Sequence, residues 1–487
     1  MASIIITKVG VRKETPRIWF EGKKLEREGF SAGTSYKVDS SNKDRLVLVR
    51  GDDADRTVSS RTRKGKTSPI IDLNAKDLAH WFDVDEKLRI AIRRGKIVIQ
   101  KHFSSAQMKS RLERIREKIA KDQELTVHSL FHGAGVLDTA LHAGLARAGV
   151  GSYVQVAVEL DRRYLDLSIE SNPDLFRDDS VFIEGAVEDV KMDNPVEADI
   201  LVAGIPCTGA SLAGRAKMRD TKGEKRVYLP EEHDSAGALF FNTLRWVEMA
   251  QPAICVFENV KDYQNTASMA VIRSVLGSMG YAVQEVVLNG NDYGALENRD
   301  RLCVVATTKG LEDVVDLDGI EPTRSKPERI ADVLEPIALD DLRWKSYDYL
   351  REKEKRDMAA GKGFRRQLYS GQEPSIATVT REYNKCRSTD PFIQHPEDET
   401  LSRLLTPREH ARVKGISESL IEAEGLSVTL AHEALGQSVI FPVFEAVGFQ
   451  IGAPTRLHGF WVRFQIGQDV AMEFMAEKEQ TPHACVA

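Results

Sequence analysis

Across residues 126–308 the chain alternates short apolar runs with helix-patterned stretches, and that alternation decides most of what it can fold into. TVHSLFHGAGVLDTALHAGL is an apolar run that enters a glycine-rich turn and then an amphipathic stretch. QVAVELD, DILVAGIPCTGAS and AICVFENV are further apolar runs, and GYAVQEVVLNGNDYGALENRDRLCVVATT reads as strand, loop, strand. Strands separated by helices pair in parallel, because each crossover returns the chain to its starting edge. The pattern predicts an α/β fold with a doubly wound, mostly parallel sheet. In such a sheet ligands bind beyond the carboxyl ends of the strands. Glu159, Cys207 and Glu258 each end an apolar run and are predicted to share that edge.

Composition removes several alternatives. With 42% hydrophobic and 29% charged residues the chain is neither disordered nor fibrous. No run of 18 apolar residues exists, which excludes a membrane-spanning helix. The opening MASIIITKVGVRKETP has no cleavage-site pattern and does not read as a secretory signal. Five cysteines (Cys207, Cys255, Cys303, Cys386, Cys485) lie far apart and never as C-x-x-C, against a disulfide scaffold or a thiolate zinc site. A cytoplasmic setting is expected. Cys255 and Cys303 fall inside apolar runs and read as core. The eleven histidines lack metal-ligand spacing, so no metal is assigned.

Charge is unevenly spread. Residues 1–125 hold 29 Lys and Arg against 18 Asp and Glu, whereas the rest is acidic. A basic amino-terminal module on an acidic body predicts contact with a polyanion. That module, residues 1–103, contains a repeat. PRIWFEGKKLEREGFSAGTSYKVDSSNKDRLVLV from Pro16 is answered by PIIDLNAKDLAHWFDVDEKLRIAIRRGKIVI from Pro69. Each copy reads as strand, short helical turn and two strands around a polar turn. Such short strands cannot bury a face alone, so the copies should pack together as a small β-barrel. The pattern resembles the AbrB-type swapped-hairpin barrel, and the first copy is similar to SymE-like proteins. The resemblance implies DNA binding through Arg61, Arg63, Lys64 and Lys66 in the linker between copies and Arg93, Arg94 and Lys96 in the second turn. Residues 104–124 are expected to form a connecting helix with Met108, Leu112, Ile115 and Ile119 as its buried stripe.

In the body, seven segments in order resemble the C5-cytosine DNA methyltransferase family over about 320 residues. They are LFHGAG at 130–135, VELD ending at Asp161, IPCTGAS at 205–211, ENV at 258–260, DYGALENRDR at 292–301, RLLTPREHARVKGI at 403–416 and GQSV at 436–439. The resemblance implies a Rossmann-like methyltransferase sheet in catalytic segments 125–318 and 401–452. It implies a small target-recognition region at 319–400, followed by a hairpin-like extension at 453–487. S-adenosyl-L-methionine would be held by Phe131, Gly133, Gly135, Glu159, Leu160, Pro206, Gln437 and Ser438. Cys207 would be the thiolate that adds to C6 of a flipped cytosine, Glu258 the acid at N3, and Arg301 the partner of O2. Asn259 would position that cluster, and Arg299 would brace the catalytic loop or a phosphate. Residues 212–237 would close over the base, with Ser211, Arg215, Lys217 and Arg219 meeting double-stranded DNA.

Several positions depart from the family pattern. Ser129 stands where aspartate is usual, Val136 where glycine is, Glu297 where glutamine is and Gln437 where asparagine is. Ala186 aligns with the acid at the adenine end, with Glu184, Glu188 and Asp189 close by. The leading expectation is a divergent but active DNA cytosine-5 methyltransferase, a monomer with a cognate restriction nuclease as possible partner. The alternatives are a tRNA methyltransferase of the same family, a DNA-binding regulator, and transfer of a modified group from an S-adenosylmethionine analogue.

Overall fold

The computed structural model describes residues 2–42, 45–51, 54–191, 196–206 and 237–454. Two compact units divide the chain, Met1–Ser110 and Arg111–Ala487.

Among its described residues the amino-terminal unit contains ten strands: β1 (Ser3–Lys8), β2 (Gly10–Arg12), β3 (Thr15–Glu21), β4 (Ser35–Asp39), β5 (Arg45–Arg50), β6 (Arg56–Thr57), β7 (Ser59–Arg63), β8 (Lys66–Asn74), β9 (Lys87–Arg93) and β10 (Lys96–Lys101). A short helix, α1 (Lys23–Arg27), follows β3, and a 3₁₀ turn (Lys76–His80) follows β8. The sheets are ordered β1-β9-β10-β5-β4-β6 and β2-β3-β8-β7. Both orders are palindromic if β1–β5 are the first copy of a repeat and β6–β10 the second.

The register obeys the same local two-fold. Ile18 faces Leu73 while its counterpart Ile71 faces Phe20, and Val47 faces Val98 while Ile97 faces Leu48. Turns match as well. Gly33 N–H donates to the Val58 carbonyl and Asp85 N–H to the Val9 carbonyl, and both Gly33 and Asp85 have positive φ. Strands are exchanged: β1 pairs with β9 of the second copy and β6 with β4 of the first. One core results, in which Ile18, Leu25, Phe30, Ile71, Leu78 and Phe82 bury together. Each copy therefore starts earlier than Pro16 and Pro69. Residues 61–66 are not a linker but the tip of the β7–β8 hairpin.

The second unit is built on a seven-stranded sheet. Its strands are β11 (Leu125–Leu130), β12 (Ser152–Glu159), β13 (Val181–Glu184), β14 (Ile200–Gly204), β15 (Ile254–Asn259), β16 (Tyr281–Asn289) and, after the short β17 (Glu297–Asn298), β18 (Asp300–Thr308). The order is β13-β12-β11-β14-β15-β18-β16, parallel from β13 to β15. β18 runs antiparallel to both of its neighbours, which makes the sheet mixed. Alternate residues of each strand feed two cores. Val127, Ile200 and Val256 face helix α3 (Val136–Arg147) and Phe444, while Val158, Leu201 and Phe257 face Leu244, Val247 and Ile272. Cys255 and Cys303 are fully buried strand residues, and burial pushes both thiols up, which leaves them unreactive.

A helix, α2 (Phe103–Ala120), leads in. Its buried stripe is Arg111, Ile115 and Ile119, with Leu112 packed beside it and Met108 only half-buried. Arg111 is buried because its guanidinium lies 4.1 Å over the Tyr281 ring and donates to Gln251 Oε1 and the Met279 carbonyl. Lys118 and Arg114 clamp the buried Asp199, which also accepts from Thr126 N–H. Between residues 319 and 400 a small core forms around Ile330, Ile376, Val379, Tyr383 and Ile393. The charge-rich residues Asp348–Ala359 form a helix that buries Leu350. Ile376–Ala377 pairs in parallel with β17, which lies between β16 and β18 in the chain. A final helix runs Phe441–Pro454; the extension beyond it lies outside the described residues.

Candidate active site

The sheet order reverses between β11 and β14, which makes their carboxyl ends the switch point where ligands bind in sheets of this kind. β11 ends at Leu130, and the chain turns through Phe131, Gly133 and Gly135, all with positive φ, before α3 (Val136–Arg147) begins at Gly135. Glycine is required at 135. A Cβ there would stand 2.3 Å from Ser168 Oγ. The helix start directs free N–H groups and positive potential toward the loop. Glu159, at the end of β12, accepts from Gly133 N–H at 2.7 Å and Asp161 N–H at 2.9 Å. Leu160 beside it is largely exposed. Gln437 faces the same loop, its amide nitrogen 3.9 Å from where a Cβ on Gly133 would stand.

Beneath this loop lies a polar cluster that the spacing of residues did not reveal. Ser129 Oγ donates to Asp138 Oδ2 at 2.8 Å. His132 lies between them, its Nδ1 2.9 Å from Ser129 Oγ and 3.0 Å from Asp138, and its Nε2 2.8 Å from Ser168 Oγ. All four side chains are buried. Ser129, the departure from the usual aspartate, therefore has its carboxylate supplied by Asp138, nine residues on.

At the ends of β14 and β15, Gly204 and Glu258 are register partners. Glu258 Oε1 lies 2.7 Å from Arg301 Nε, and both side chains are mostly buried. β18 delivers Arg301 there because it runs antiparallel to β15, so its first residues arrive at that strand's carboxyl end. Asn259 is buried and donates from Nδ2 to the Ile205 carbonyl at 3.1 Å. It thereby fixes the exit of β14 two residues before Cys207 in the sequence. Pro206 is half-buried at that exit.

Arg299 is buried. Its Nη1 donates to the Gly436 carbonyl at 3.1 Å and lies 3.4 Å from Glu297 Oε1. Glu297 is also paired with Lys414, which in turn reaches the Ser438 carbonyl at 3.5 Å. Arg299, Glu297 and Lys414 thus hold the 436–438 segment that carries Gln437. Nothing in the spacing of the sequence marked Lys414.

Cys207, Ser211, Arg215, Lys217 and Arg219 lie outside the described residues. Arg61, Arg63, Lys64, Arg93 and Arg94 are exposed at two hairpin tips of the amino-terminal unit. Ala186 caps a 3₁₀ turn (Val187–Asp189) after β13, and Glu184, Glu188 and Asp189 are exposed there.

The sequence model of the C-5 cytosine-specific DNA methylase family matches residues 125–453. A Type II methyltransferase, M.SsoII of Shigella sonnei, is 28% identical over 280 residues, 55% of this chain and 68% of that protein. The DNA-cytosine methyltransferase of Escherichia coli K12 is 28% identical over 301 residues, 54% of this chain and 62% of that protein. M.Bsp6I of a Bacillus species is 26% identical across 98% of its own length. Among solved structures, the Dnmt2 methyltransferase of S. pombe superposes with a TM-score of 0.51 at 17% identity, covering 68% of this chain and 99% of that one. That likeness shows the fold alone.

Proposed function

The chain belongs to the C-5 cytosine-specific DNA methylase family, and from that premise we propose how it works as a DNA cytosine methyltransferase. Cys207 adds as a thiolate to C6 of a cytosine drawn out of the duplex, forming the Sγ–C6 bond. Electron density displaced onto the ring is met by a proton that Glu258 delivers at N3. Arg301, 2.7 Å from Glu258, supplies the donor for O2. Once C5 carries the methyl group, its proton passes to water, Glu258 takes back the N3 proton, the C5–C6 double bond re-forms and the Sγ–C6 bond breaks to return the thiolate. Asn259 keeps the nucleophile strand in place through the Ile205 carbonyl.

A donor of S-adenosylmethionine type supplies an electrophilic methyl group when bound. The residues present suit it: a glycine loop opening a helix, and the Glu159 carboxylate ending the neighbouring strand. Phe131, Gly133, Gly135, Glu159, Leu160, Pro206, Gln437 and Ser438 would hold it. The observation that carries the reading is the Glu258–Arg301 pair at the mouth of the strand preceding Cys207.

The amino-terminal unit is read as an AbrB-type swapped-hairpin module that meets duplex DNA. The exchange of β1 and β6 between copies and the excess of basic residues support this. With both copies in one chain the unit needs no second protomer, which supports a monomer. The Type II naming of relatives supports a restriction–modification setting with a cognate nuclease.

Covalent trapping tests the mechanism. Full-length protein is mixed with duplex DNA carrying 5-fluorocytosine and S-adenosylmethionine, beside Cys207→Ser. A denaturation-resistant adduct absent from Cys207→Ser is expected. An adduct with fluorinated RNA and none with DNA would overturn the DNA assignment.

A further inference from the structure

The two-fold of the amino-terminal unit is broken in one place. The hairpin β2–β3 and its counterpart β7–β8 leave the core at equivalent prolines, Pro16 and Pro69. In β2–β3 the last pair before the tip is Arg12 with Thr15, one residue from Pro16. In β7–β8 it is Arg63 with Lys66, three residues from Pro69. The second hairpin is therefore two residues longer on each arm, about 7 Å of extra reach at roughly 3.3 Å per residue.

The extension differs in chemistry too. Residues 59–68 read SSRTRKGKTS, with four cations and no acid. In the shorter hairpin Arg12 and Arg17 are tied to Asp72, at 3.4 and 2.7 Å. Among the described residues, no acid plays that part for Arg61, Arg63, Lys64 or Lys66, and all four are exposed. Cross-strand pairing sorts them. Arg61 opposite Ser68 and Arg63 opposite Lys66 share one face, because alternate residues of a strand point the same way. The other face carries Thr62 and Thr67, whose hydroxyls lie 3.0 Å apart. The root is rigid: β8 continues into buried Ile70, Ile71 and Leu73 and pairs with β3.

We propose that the β7–β8 hairpin is a two-stranded ribbon that enters the major groove of duplex DNA and is the main DNA-binding element of this unit. The proposal rests on the reading that the unit meets DNA, and it names the element and the groove. The B-form major groove, about 12 Å wide, admits a two-stranded ribbon. Arg61, Arg63 and Lys66 on one face match phosphates and guanine edges, and the short hydroxyl face lets the ribbon sit deep. A-form RNA offers a major groove too deep and narrow for side chains to read, which favours DNA.

The test uses full-length protein, a mixed-sequence 30-base-pair DNA duplex and its RNA counterpart, with anisotropy measured over a range of salt. Arg61→Ala/Arg63→Ala/Lys66→Ala is compared with the parent and with Lys13→Ala at the tip of the shorter hairpin. The triple variant should bind DNA at least tenfold more weakly. Its salt slope should fall by about 2–3, since each phosphate no longer neutralised lowers it by about 0.9. Lys13→Ala should match the parent. An unchanged affinity and slope in the triple variant overturns the proposal, as does an equal weakening on RNA. Trapping on fluorinated DNA, run in parallel at saturating DNA, keeps the two readings apart. A parent that traps DNA beside an unaffected triple variant removes the ribbon and leaves the methyltransferase. A parent that traps nothing, beside a lowered salt slope in the triple variant, does the reverse.

Discussion

Lys414 Nζ lies 2.9 Å from Glu297 Oε2, and neither side chain reaches solvent. Burial pulls the Lys414 ammonium below its ordinary value, and the nearby Arg299 pulls it further, while Glu297 opposes both. The acid where the family usually has glutamine is therefore balanced by a cation from a helix more than a hundred residues on. Removing Glu297 strands Lys414 and leaves Arg299 only the Gly436 carbonyl, whereas removing Lys414 leaves Glu297 its contact with Arg299. Glu297→Gln should destabilise the fold by about 3–5 kcal/mol, and Lys414→Met by less. The double variant should recover part of the Glu297→Gln loss, because Lys414 is no longer a stranded cation. Urea denaturation of the four proteins measures the coupling. Additive losses would show that the pair acts as two independent residues.

Glu258 is predicted to matter for rate far more than for folding. It is mostly buried but touches solvent at the mouth of the sheet, and its main partner is Arg301. Glu258→Gln keeps the shape and an acceptor for Arg301 but delivers no proton at N3. The turnover rate should fall by about 10² to 10⁴, the range for a positioned acid. The denaturation midpoint should barely move. A rate within tenfold of the parent would remove Glu258 from the proton transfer.

Gly135 has φ +75°, and an added Cβ would lie 2.3 Å from Ser168 Oγ and 3.1 Å from His132 Nε2. Gly135→Ala should cost about 2–4 kcal/mol, from left-handed strain and overpacking together. Adding Ser168→Ala removes the closer clash but not the strain, so it should recover only part. Binding of S-adenosylmethionine, followed by calorimetry, should weaken in both. A loss under about 0.5 kcal/mol in the single variant would mean the loop re-forms around the new side chain.

The legible parts of this chain are those where chemistry sits at strand ends. Glu159 and Glu258 could be placed at one edge because apolar runs mark strands and parallel order fixes which end faces the loops, whereas Arg301 reaches that edge only because β18 runs antiparallel, which the apolar runs do not reveal. The repeat is legible only where both copies carry apolar residues, as at Ile18 and Ile71. It is invisible at β1 and β6, because IIIT and RT share no pattern although they occupy equivalent places. Arg111 escapes the predicted stripe for a related reason. Apolar periodicity does not announce that a cation will be buried when an aromatic ring and two oxygens from distant segments await it. Departures such as Ser129 and Glu297 are visible one by one. Their compensating partners, Asp138 and Lys414, are not, since pairing through space leaves no local trace.

Asp390 gives a pH test in the small core between residues 319 and 400. It is fully buried, and desolvation raises its carboxyl from 3.8 to about 6, against the pull of the Arg387 N–H bond at 2.6 Å. A raised carboxyl means that the folded chain holds more protons than the unfolded one between pH 3.8 and 6. Stability from this group therefore falls as pH rises through that window, and the full cost persists above it. Asp390→Asn keeps an acceptor for Arg387 and removes the charge. The variant should be more stable than the parent by about 1–2 kcal/mol at pH 8, allowing for partial screening. The gap should narrow by about half at pH 5, where the folded parent is largely protonated. Urea midpoints of both proteins at the two pH values decide it. A gap that stays constant, or widens toward pH 5, would show that Asp390 is buried as a well-compensated carboxylate instead.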